Sequence, residues 1–231
     1  SKRDDAVFQK GANPMRYPTQ SEPLPMPEDS LAFIRLFHAL ASDPEIIVDV
    51  YINGRLVAER LRYESFTHYL PARPGNYTIT LYESGSDAAG EKLLEVSFPL
   101  QAEEVVTAAI VGSPDEPGIQ VISDFEQDTE DDMAAMRFMN LSDTDTPVSI
   151  YVDQKPVVYD LAYGEITTFL PFAPGRHTMT VQDSTTGQTL VTHPALTLKQ
   201  DNFYTVYGVG RIDGRPGFEV LIPLEGISYL S

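Results

Sequence analysis

The chain contains two copies of one segment, and this internal repeat constrains its fold more than any other feature of the sequence. Residues 61–80 and 161–180 align without gaps, and nine of the twenty pairs are identical. The match continues on both sides of these segments, most clearly between residues 105–112 and 203–210. A period of about 100 residues is the size of a duplicated domain and is too long for a solenoid unit. The sequence therefore predicts two related domains in tandem.

Each copy has the sequence pattern of β-structure. Apolar and polar residues alternate over 48–52 and again over 76–82, as they do in strands that bury one face. Asn53 and Gly54 follow the first of these runs and fit a type I′ hairpin turn, whose two central residues need a positive φ. No window within either copy has helical periodicity. The pattern predicts an all-β chain of two immunoglobulin- or transthyretin-like antiparallel β-sandwiches, with roughly seven or eight strands in each.

The charge of the chain is concentrated in one short run. The formal net charge is −18, and residues 124–132 contain six acidic and no basic side chains. Such a run repels itself and is well solvated, so it predicts an acidic linker that keeps the first sandwich (30–123) apart from the second (133–231). Residues 1–29 are rich in Pro, Ser and Gln and predict an extended N-terminal tail.

Composition excludes several classes of protein. A charge this negative argues against a partner that is nucleic acid or an anionic membrane, which both need clustered Lys and Arg. The absence of Cys excludes disulfides, thiolate nucleophiles and Cys-ligated metals. No stretch approaches the ~18 apolar residues of a membrane span. Residues 1–20 lack the apolar core of a secretory signal, so either a signal was removed or the chain is made in the cytosol without one, and we favour the second explanation.

The order of motifs resembles a bacterial domain of unknown function that often occurs in tandem. Its copies read approximately R-x-x-H-A, V-D-V-Y-x-N-G and Y-L-x-x-P-x-G-x-Y. The first copy here matches at Arg35, His38, Ala39, residues 48–54, Tyr69, Leu70, Pro74, Gly75 and Tyr77. The second copy keeps Arg137, Tyr151, Leu170, Pro174 and Gly175, and it departs at Asn140, Ser149, Gln154 and His177. The resemblance covers about 195 of the 231 residues and implies an envelope-associated β-sandwich with no agreed activity.

The sequence shows no constellation of catalytic residues. None of the four His residues pairs with another at metal-binding spacing, and no G-x-S-x-G nucleophile motif is present. His38 is replaced by Asn140 in the second copy, so a role shared by both copies cannot need an imidazole. We interpret His38 as a hydrogen-bonding residue near a strand end. We expect a protein that is not an enzyme and that has no cofactor.

Acidic pairs follow the first predicted strand of each copy. They are Asp43 and Glu45 in the first copy and Asp143 and Asp145 in the second. Ca²⁺ binds several oxygens from such loops, but two acids per loop are too few by themselves and their spacing matches no EF-hand. Solvated turns are the main interpretation, and a weak divalent-cation site is the alternative.

Two arginines occupy equivalent positions among apolar neighbours. Arg35 and Arg137 each lie in the middle of a predicted strand, where an uncompensated charge would cost several kcal/mol. We expect each to form a structural ion pair, with an acid such as Asp49 or with a backbone carbonyl, and a contact with a ligand carboxylate is the alternative. Tyr63 and Tyr163 belong to a shared Leu-x-Tyr and predict anchors whose hydroxyls bind the backbone.

These features favour a non-catalytic structural or interaction protein of a bacterial surface, spore or envelope layer. Its expected partners are proteins or further copies of itself, because an open sheet edge can accept a strand from another chain. Residues 5–9, which include Val7 and Phe8, are compatible with such a strand. The alternative is a carbohydrate- or ligand-binding adhesion module, in which a row of tyrosines would stack on sugars. The tyrosines considered for this row are Tyr51, Tyr69, Tyr77 and Tyr82.

Overall fold

The computed structural model of the protein describes residues 30–86, 90–124 and 130–223. The predicted tail, with Val7 and Phe8, lies outside the described residues. Sixteen strands are present and none of the described residues is α-helical. Among these residues, no helix has the length and apolar character that a membrane crossing requires.

The strands of the first repeat are β1 (Ala32–His38), β2 (Val48–Ile52), β3 (Arg55–Leu61), β4 (Leu70–Ala72), β5 (Gly75–Glu83), β6 (Lys92–Leu100), β7 (Val105–Gly112) and β8 (Pro117–Ser123). Those of the second are β9 (Ala134–Asn140), β10 (Val148–Val152), β11 (Lys155–Leu161), β12 (Leu170–Phe172), β13 (Gly175–Asp183), β14 (Thr189–Leu198), β15 (Phe203–Val209) and β16 (Glu219–Leu221).

Each repeat folds into two four-stranded sheets. The orders are β4-β1-β7-β8 and β3-β2-β5-β6 in the first repeat, and β12-β9-β15-β16 and β11-β10-β13-β14 in the second. Alternating residues of the facing sheets, such as Ile34, Val50 and Ile79, form the core of the first sandwich. The predicted all-β class, with two sandwich domains in tandem, is confirmed.

One strand pair in each repeat runs parallel, which corrects the expectation of a wholly antiparallel sandwich. β1 pairs with β7, and β9 pairs with β15, in parallel. The other pairs of named strands are antiparallel, including the hairpin whose turn residues Asn53 and Gly54 have φ of 49° and 77°. A parallel pair needs a long crossover, and the strands between β1 and β7, four of them in the other sheet, supply it.

Two glycines end the parallel strands where the chain turns tightly. Gly112 and Gly210 have φ of 91° and 87°, a conformation that side chains rarely adopt. A Cβ on Gly112 would lie 2.3 Å from the carbonyl oxygen of Glu116, and one on Gly210 would lie 2.2 Å from that of Gly217. Only glycine therefore allows the following loop to fold back against the strand.

The two sandwiches pack directly against each other, so the predicted separation of the domains by the acidic linker is wrong. β1, β7, β9 and β15 are buried on both faces along most of their length. Their second faces meet in a cluster that we call the interdomain seam. The seam consists of Phe37, Ala39, Ala109, Val111, Ile122, Met139, Leu141, Tyr207 and Val209. Parallel strands that are covered on both faces have nearly continuous apolar sequences, which explains the composition of these four strands.

Candidate functional site

A buried carboxylate joins the two domains. Asp124 follows β8, and its backbone N–H donates to the Val105 carbonyl at 2.7 Å, so the chain is still part of the sheet there. Its side chain is 0% exposed. Asp124 Oδ1 accepts from Arg137 Nη2 of the second domain at 2.7 Å, and Asp124 Oδ2 lies 3.9 Å from Arg35 Nη2. One carboxylate of the first repeat therefore meets the equivalent arginines of both repeats.

Two hydroxyl groups also donate hydrogen bonds to the Asp124 carboxylate. Asp124 Oδ2 accepts from Thr107 Oγ1 at 2.5 Å and from Tyr69 Oη at 2.7 Å. The same Thr107 oxygen accepts from Arg35 Nε at 3.1 Å. Buried charges are tolerated where hydrogen bonds satisfy their remaining lone pairs, which is the case here.

Each guanidinium is also held by aromatic rings and by its own sheet. Arg137 Nε donates to Thr205 Oγ1 at 2.7 Å, and Arg137 Nη1 donates to the Ser123 carbonyl at 2.6 Å. The Arg137 guanidinium carbon lies 4.6 Å from the ring centre of Phe169, within the range of a cation–π contact. In the first repeat, the Arg35 guanidinium lies 4.7 Å from the ring centres of Phe66 and Tyr69.

Each of the two arginines thus lies beside a carboxylate, but the acid is Asp124 and not the Asp49 named as an example. Asp49 lies in β2, in the other sheet of the first sandwich, and its Oδ1 accepts from the Arg60 backbone N–H at 2.8 Å. Asp124 was assigned to the solvated linker because composition alone cannot show that a charge is buried. The equivalent Thr107 and Thr205, each opposite an arginine in the parallel pairing, are a further signal that the alignment of the repeats contains.

Aromatic rings fill the seam beside this charged cluster. Phe37 stacks on Phe66 with ring centres 3.9 Å apart, and Tyr207 of the second domain lies 5.1 Å from Phe37 and 5.9 Å from Phe66. Phe37 and Tyr207 are both fully buried. Sequence reasoning singled out neither residue, because a continuous apolar run such as that of β1 does not show which surface covers each of its two faces.

His38 and Asn140 form equivalent hydrogen bonds in the two repeats. Nε2 of His38 faces the Ile46 carbonyl at 2.7 Å and therefore donates, while Nδ1 accepts from the Leu40 N–H at 3.3 Å. Burial holds the pKa of His38 below its usual value, although the Ile46 hydrogen bond opposes the shift. Asn140 likewise donates to a carbonyl, that of Leu161, and accepts from the N–H two residues on, that of Ser142. His38 thus forms hydrogen bonds at the end of a strand, as the sequence suggested.

In the acidic pair of the first repeat, Glu45 is bound by protein groups. Arg62 Nη2 donates to Glu45 Oε2 at 2.7 Å, and the Tyr63 N–H donates to Glu45 Oε1 at 3.0 Å. The hydrogen bond from Arg62 lowers the pKa of Glu45. Asp43 is exposed. Over the described ranges, no three His, Cys, Asp or Glu side chains are grouped so that they could hold a metal ion.

The acidic pair of the second repeat borders a polar hollow with a volume of about 500 Å³. Asp143 Oδ2 lies 3.8 Å from Arg211 Nη1, and Asp145 is exposed. Tyr163 lines the same hollow and is 42% exposed, so it is not a core anchor. Tyr63 is half-buried against the seam, and its hydroxyl has no hydrogen-bond partner within the described part of the chain, contrary to the expected backbone bond.

Two carboxyl groups meet across the domain boundary. Glu64 lies in the loop after β3, and Glu219 begins β16 of the second domain. Burial raises the pKa of Glu64, and the hydrogen bond and negative charge of Glu219 raise it further, to about 7; Glu45 contributes in the same direction. The Tyr63 hydroxyl is the third titratable group in this corner, and burial raises its pKa as well.

The contact between Glu64 and Glu219 predicts that the folded chain becomes less stable at the interdomain seam as the pH rises. The pKa of Glu64 in the folded chain is higher than that of an ordinary Glu, about 4.3, so folding favours the protonated carboxyl. The stabilisation is fully present below the ordinary pKa and is lost as the pH rises through about 7. We expect the melting temperature to fall between pH 5 and 8, and Glu219→Gln to flatten that fall. An equal slope in the Glu219→Gln and unaltered chains contradicts the prediction, and Glu103→Gln, at an exposed site, is the control.

An open groove lies beside the charged cluster. It has a volume of about 470 Å³ and runs between β8 and residues 166–169, the segment that leads into β12. Val121 and Ile166 border it and are each 39% exposed. Arg137 lies at its floor, where the seam begins. The groove is in the size range of ligand sites, about 300–1,000 Å³.

The predicted row of tyrosines does not form one exposed platform. Tyr69 and Tyr82 are 7% and 6% exposed, and the hydroxyl of Tyr69 is bound to Asp124. Tyr51 packs edge-on against Tyr82 with ring centres 5.4 Å apart. The Tyr77 hydroxyl donates to the Arg73 carbonyl at 2.5 Å.

Comparisons with solved structures give only distant likenesses. The chain is similar to a candidate cell adhesion protein from Bacteroides ovatus, with 10% identity over 84% of this chain and 96% of that chain and a TM-score of 0.25. It is similar to the CBM26 module of Eubacterium rectale Amy13K in complex with maltoheptaose, with 10% identity, coverage of 83% and 96%, and a TM-score of 0.25. It is also similar to the fimbrial anchor protein Mfa2 from Porphyromonas gingivalis, with 8% identity, coverage of 84% and 97%, and a TM-score of 0.23. TM-scores of this size support no conclusion about fold or function.

The family comparison is specific and covers both repeats. No curated protein matches the chain. The domain of unknown function DUF4397 matches residues 32–151 and 143–223, which together hold all sixteen strands. These two stretches include the equivalent arginines and the two halves of the seam. The chain therefore belongs to the DUF4397 family and contains two tandem segments of it.

Proposed function

We propose that the protein is a non-catalytic interaction module of a bacterial surface, spore or envelope layer, which presents its two sandwiches to partners as one rigid body. The interdomain seam is the observation that carries this proposal. Domains in one chain are expected to move relative to each other unless their interface is extensive and apolar. Here the interface is apolar and is joined by Asp124, which contacts Arg137 across the domain boundary.

The edges of the sheets are the surfaces that suit this function. Each of the four sheets is open and so has two edge strands, among them β3 and β8. An edge strand presents unpaired backbone groups, which can hydrogen bond to an extended segment of another protein. Protein partners or self-association therefore fit the architecture. A carbohydrate-binding role has less support, because burial removes Tyr69 and Tyr82 from any stacking surface.

Self-assembly through residues 1–29 is part of the proposal. Deletion of these residues is expected to lower the mass measured by light scattering from a multiple of 25.6 kDa to that of a single chain, and to lower the melting temperature. The full-length variant Phe8→Asp tests the same contact without shortening the chain. Unchanged mass and unchanged melting temperature in the shortened chain would overturn the assembly role.

A further inference from the structure

The free edge of β8 can accept an added strand. Among the strands that the structure describes, β8 pairs only with β7, on one side. The bond from the Asp124 N–H to the Val105 carbonyl sets which residues of β8 face β7. In an antiparallel pair these residues alternate, so the backbone groups of Ile119 and Val121 point away from β7. The next outward carbonyl, that of Ser123, is occupied by Arg137 and ends the available edge.

The edge opens onto a surface that suits apolar side chains. The groove between β8 and residues 166–169 starts at this edge, and the exposed side chains of Val121 and Ile166 border it. Gln120 spans the inner end of the groove, where its Nε2 donates to the Gly164 carbonyl at 2.9 Å. Arg137 is the charged residue among those that line the groove, and its guanidinium donates to Asp124, Ser123 and Thr205. An occupant with small or medium apolar side chains and no charge at its centre is therefore favoured.

The charges of the residues around β8 favour a basic segment as the occupant of the groove. Acidic residues flank β8 at both ends, namely Asp115 and Glu116 before it and, beyond the buried Asp124, the acids of residues 126–132 after it. Residues 1–16 contain four basic and two acidic side chains, in a chain whose net charge is −18. Within this segment, Ala6, Val7 and Phe8 stand between basic residues on both sides. The basic residues are Lys2, Arg3, Lys10 and Arg16.

We propose that residues 5–9 of one copy of this chain pair with the free edge of β8 on a second copy and place Val7 or Phe8 in the groove. This acceptor site rests on the assembly role proposed above and names its location. The added strand would form hydrogen bonds with the backbone groups of Ile119 and Val121 that point away from β7. The basic residues on either side of it would lie near the acidic residues that flank β8.

The length of the segment allows this contact. β1 begins at Ala32, and β8 is two strands away from β1, so an added strand lies about 14 Å to the side of β1 at 4.7–4.9 Å per strand. Residues 10–29 can extend over roughly 66 Å, which is ample for a neighbouring copy. The composition of this segment, with Pro23, Pro25 and Pro27, favours an extended spacer of about 3.1 Å per residue, which suits contact with a neighbouring copy better than a return to the same copy.

The absence of native Cys permits a clean cross-linking test. Chains with Val7→Cys are mixed with chains with Val121→Cys under mild oxidation, and Ala6→Cys and Phe8→Cys scan the register. We expect at least one tail variant to give a covalent dimer with Val121→Cys on a non-reducing gel. The matched control is Leu56→Cys, which is 44% exposed on β3, an edge strand of the other sheet. The yield with Val121→Cys should exceed the control yield at least five-fold.

Each outcome decides the proposal. Dimers with Val121→Cys well above the control support the β8 acceptor. Equal yields, or none with any tail position, overturn it. The double variant Val7→Cys/Val121→Cys distinguishes a second copy from the same copy, and a link formed within one chain at every concentration overturns the second-copy assignment.

The failure of this acceptor site is separable from the failure of the assembly role. If deletion of residues 1–29 abolishes assembly while the cross-link forms no better at Val121 than at Leu56, the tail assembles the protein at a different surface. If deletion leaves the mass and the melting temperature unchanged, the assembly role itself is wrong. Val121→Lys in the full-length chain, compared with Leu56→Lys, gives a third measurement, because a charge on the accepting edge should reduce the assembled mass.

Discussion

An Asp124→Asn chain is expected to lose about 3–5 kcal/mol of unfolding free energy. The substitution keeps the shape of the side chain but removes the negative charge beside Arg137 and Arg35, which are almost fully buried. Without that carboxylate, two guanidinium groups lie in the seam beside a neutral amide. Removal of one partner from a buried ion pair leaves an uncompensated charge, which accounts for the size of the loss.

Denaturant titration followed by circular dichroism measures this loss. The matched control is Asp131→Asn, which removes an exposed acid from the same predicted linker and should change the free energy of unfolding by less than about 0.5 kcal/mol. A loss below about 1 kcal/mol for Asp124→Asn would show that the carboxylate does not join the domains. Equal losses for the two variants would point to the net charge of the linker as the cause.

Replacing Phe37 with alanine is expected to cost about 3–5 kcal/mol and to uncouple the two domains. Phe37 is fully buried, stacks on Phe66 and contacts Tyr207 of the second domain, so its removal leaves a cavity in the seam. Because residues of both repeats share this apolar cluster, we expect the two sandwiches to unfold as one cooperative unit. Calorimetry should therefore show one transition for the unaltered chain and two for the variant.

Leu36→Ala is the matched control for this prediction. Leu36 is the neighbouring residue on β1, equally buried, but it belongs to the core of the first sandwich. Its truncation should cost about 2–5 kcal/mol and leave a single transition, because the seam is intact. A single transition at an unchanged midpoint in Phe37→Ala would contradict the assignment of the seam.

The local features of the fold could be predicted because short stretches of sequence determine them. Asn53 and Gly54 form the expected turn, and the equivalent Asp153 and Gln154 adopt the same positive φ without a glycine. Residues 76–82 alternate in sequence, and in β5 Ile79 and Leu81 lie together in the core of the first sandwich. Comparison of the repeats transferred these predictions to the second domain.

The charged cluster could be predicted only in part. The equivalent positions of Arg35 and Arg137 indicated two structural ion pairs, and both arginines are buried as expected. Asp49 is only an example of an expected partner, and the sequence does not point to Asp124, because Asp124 begins an acidic run whose composition indicates solvation. The composition of a segment describes its residues together and does not show that one of them is buried. Burial depends on which surface each residue contacts after the chain has folded.

The sequence by itself therefore determined the repeat, the β-class, the hairpin turns and the need for each arginine to be paired. Tertiary structure alone decided that β1 and β7 run parallel, that the outer faces of two sheets meet, and that Asp124 lies between them. The physical reason is that a period of two residues shows which side chains share a face. It does not show the direction of the neighbouring strand or the surface that covers the other face.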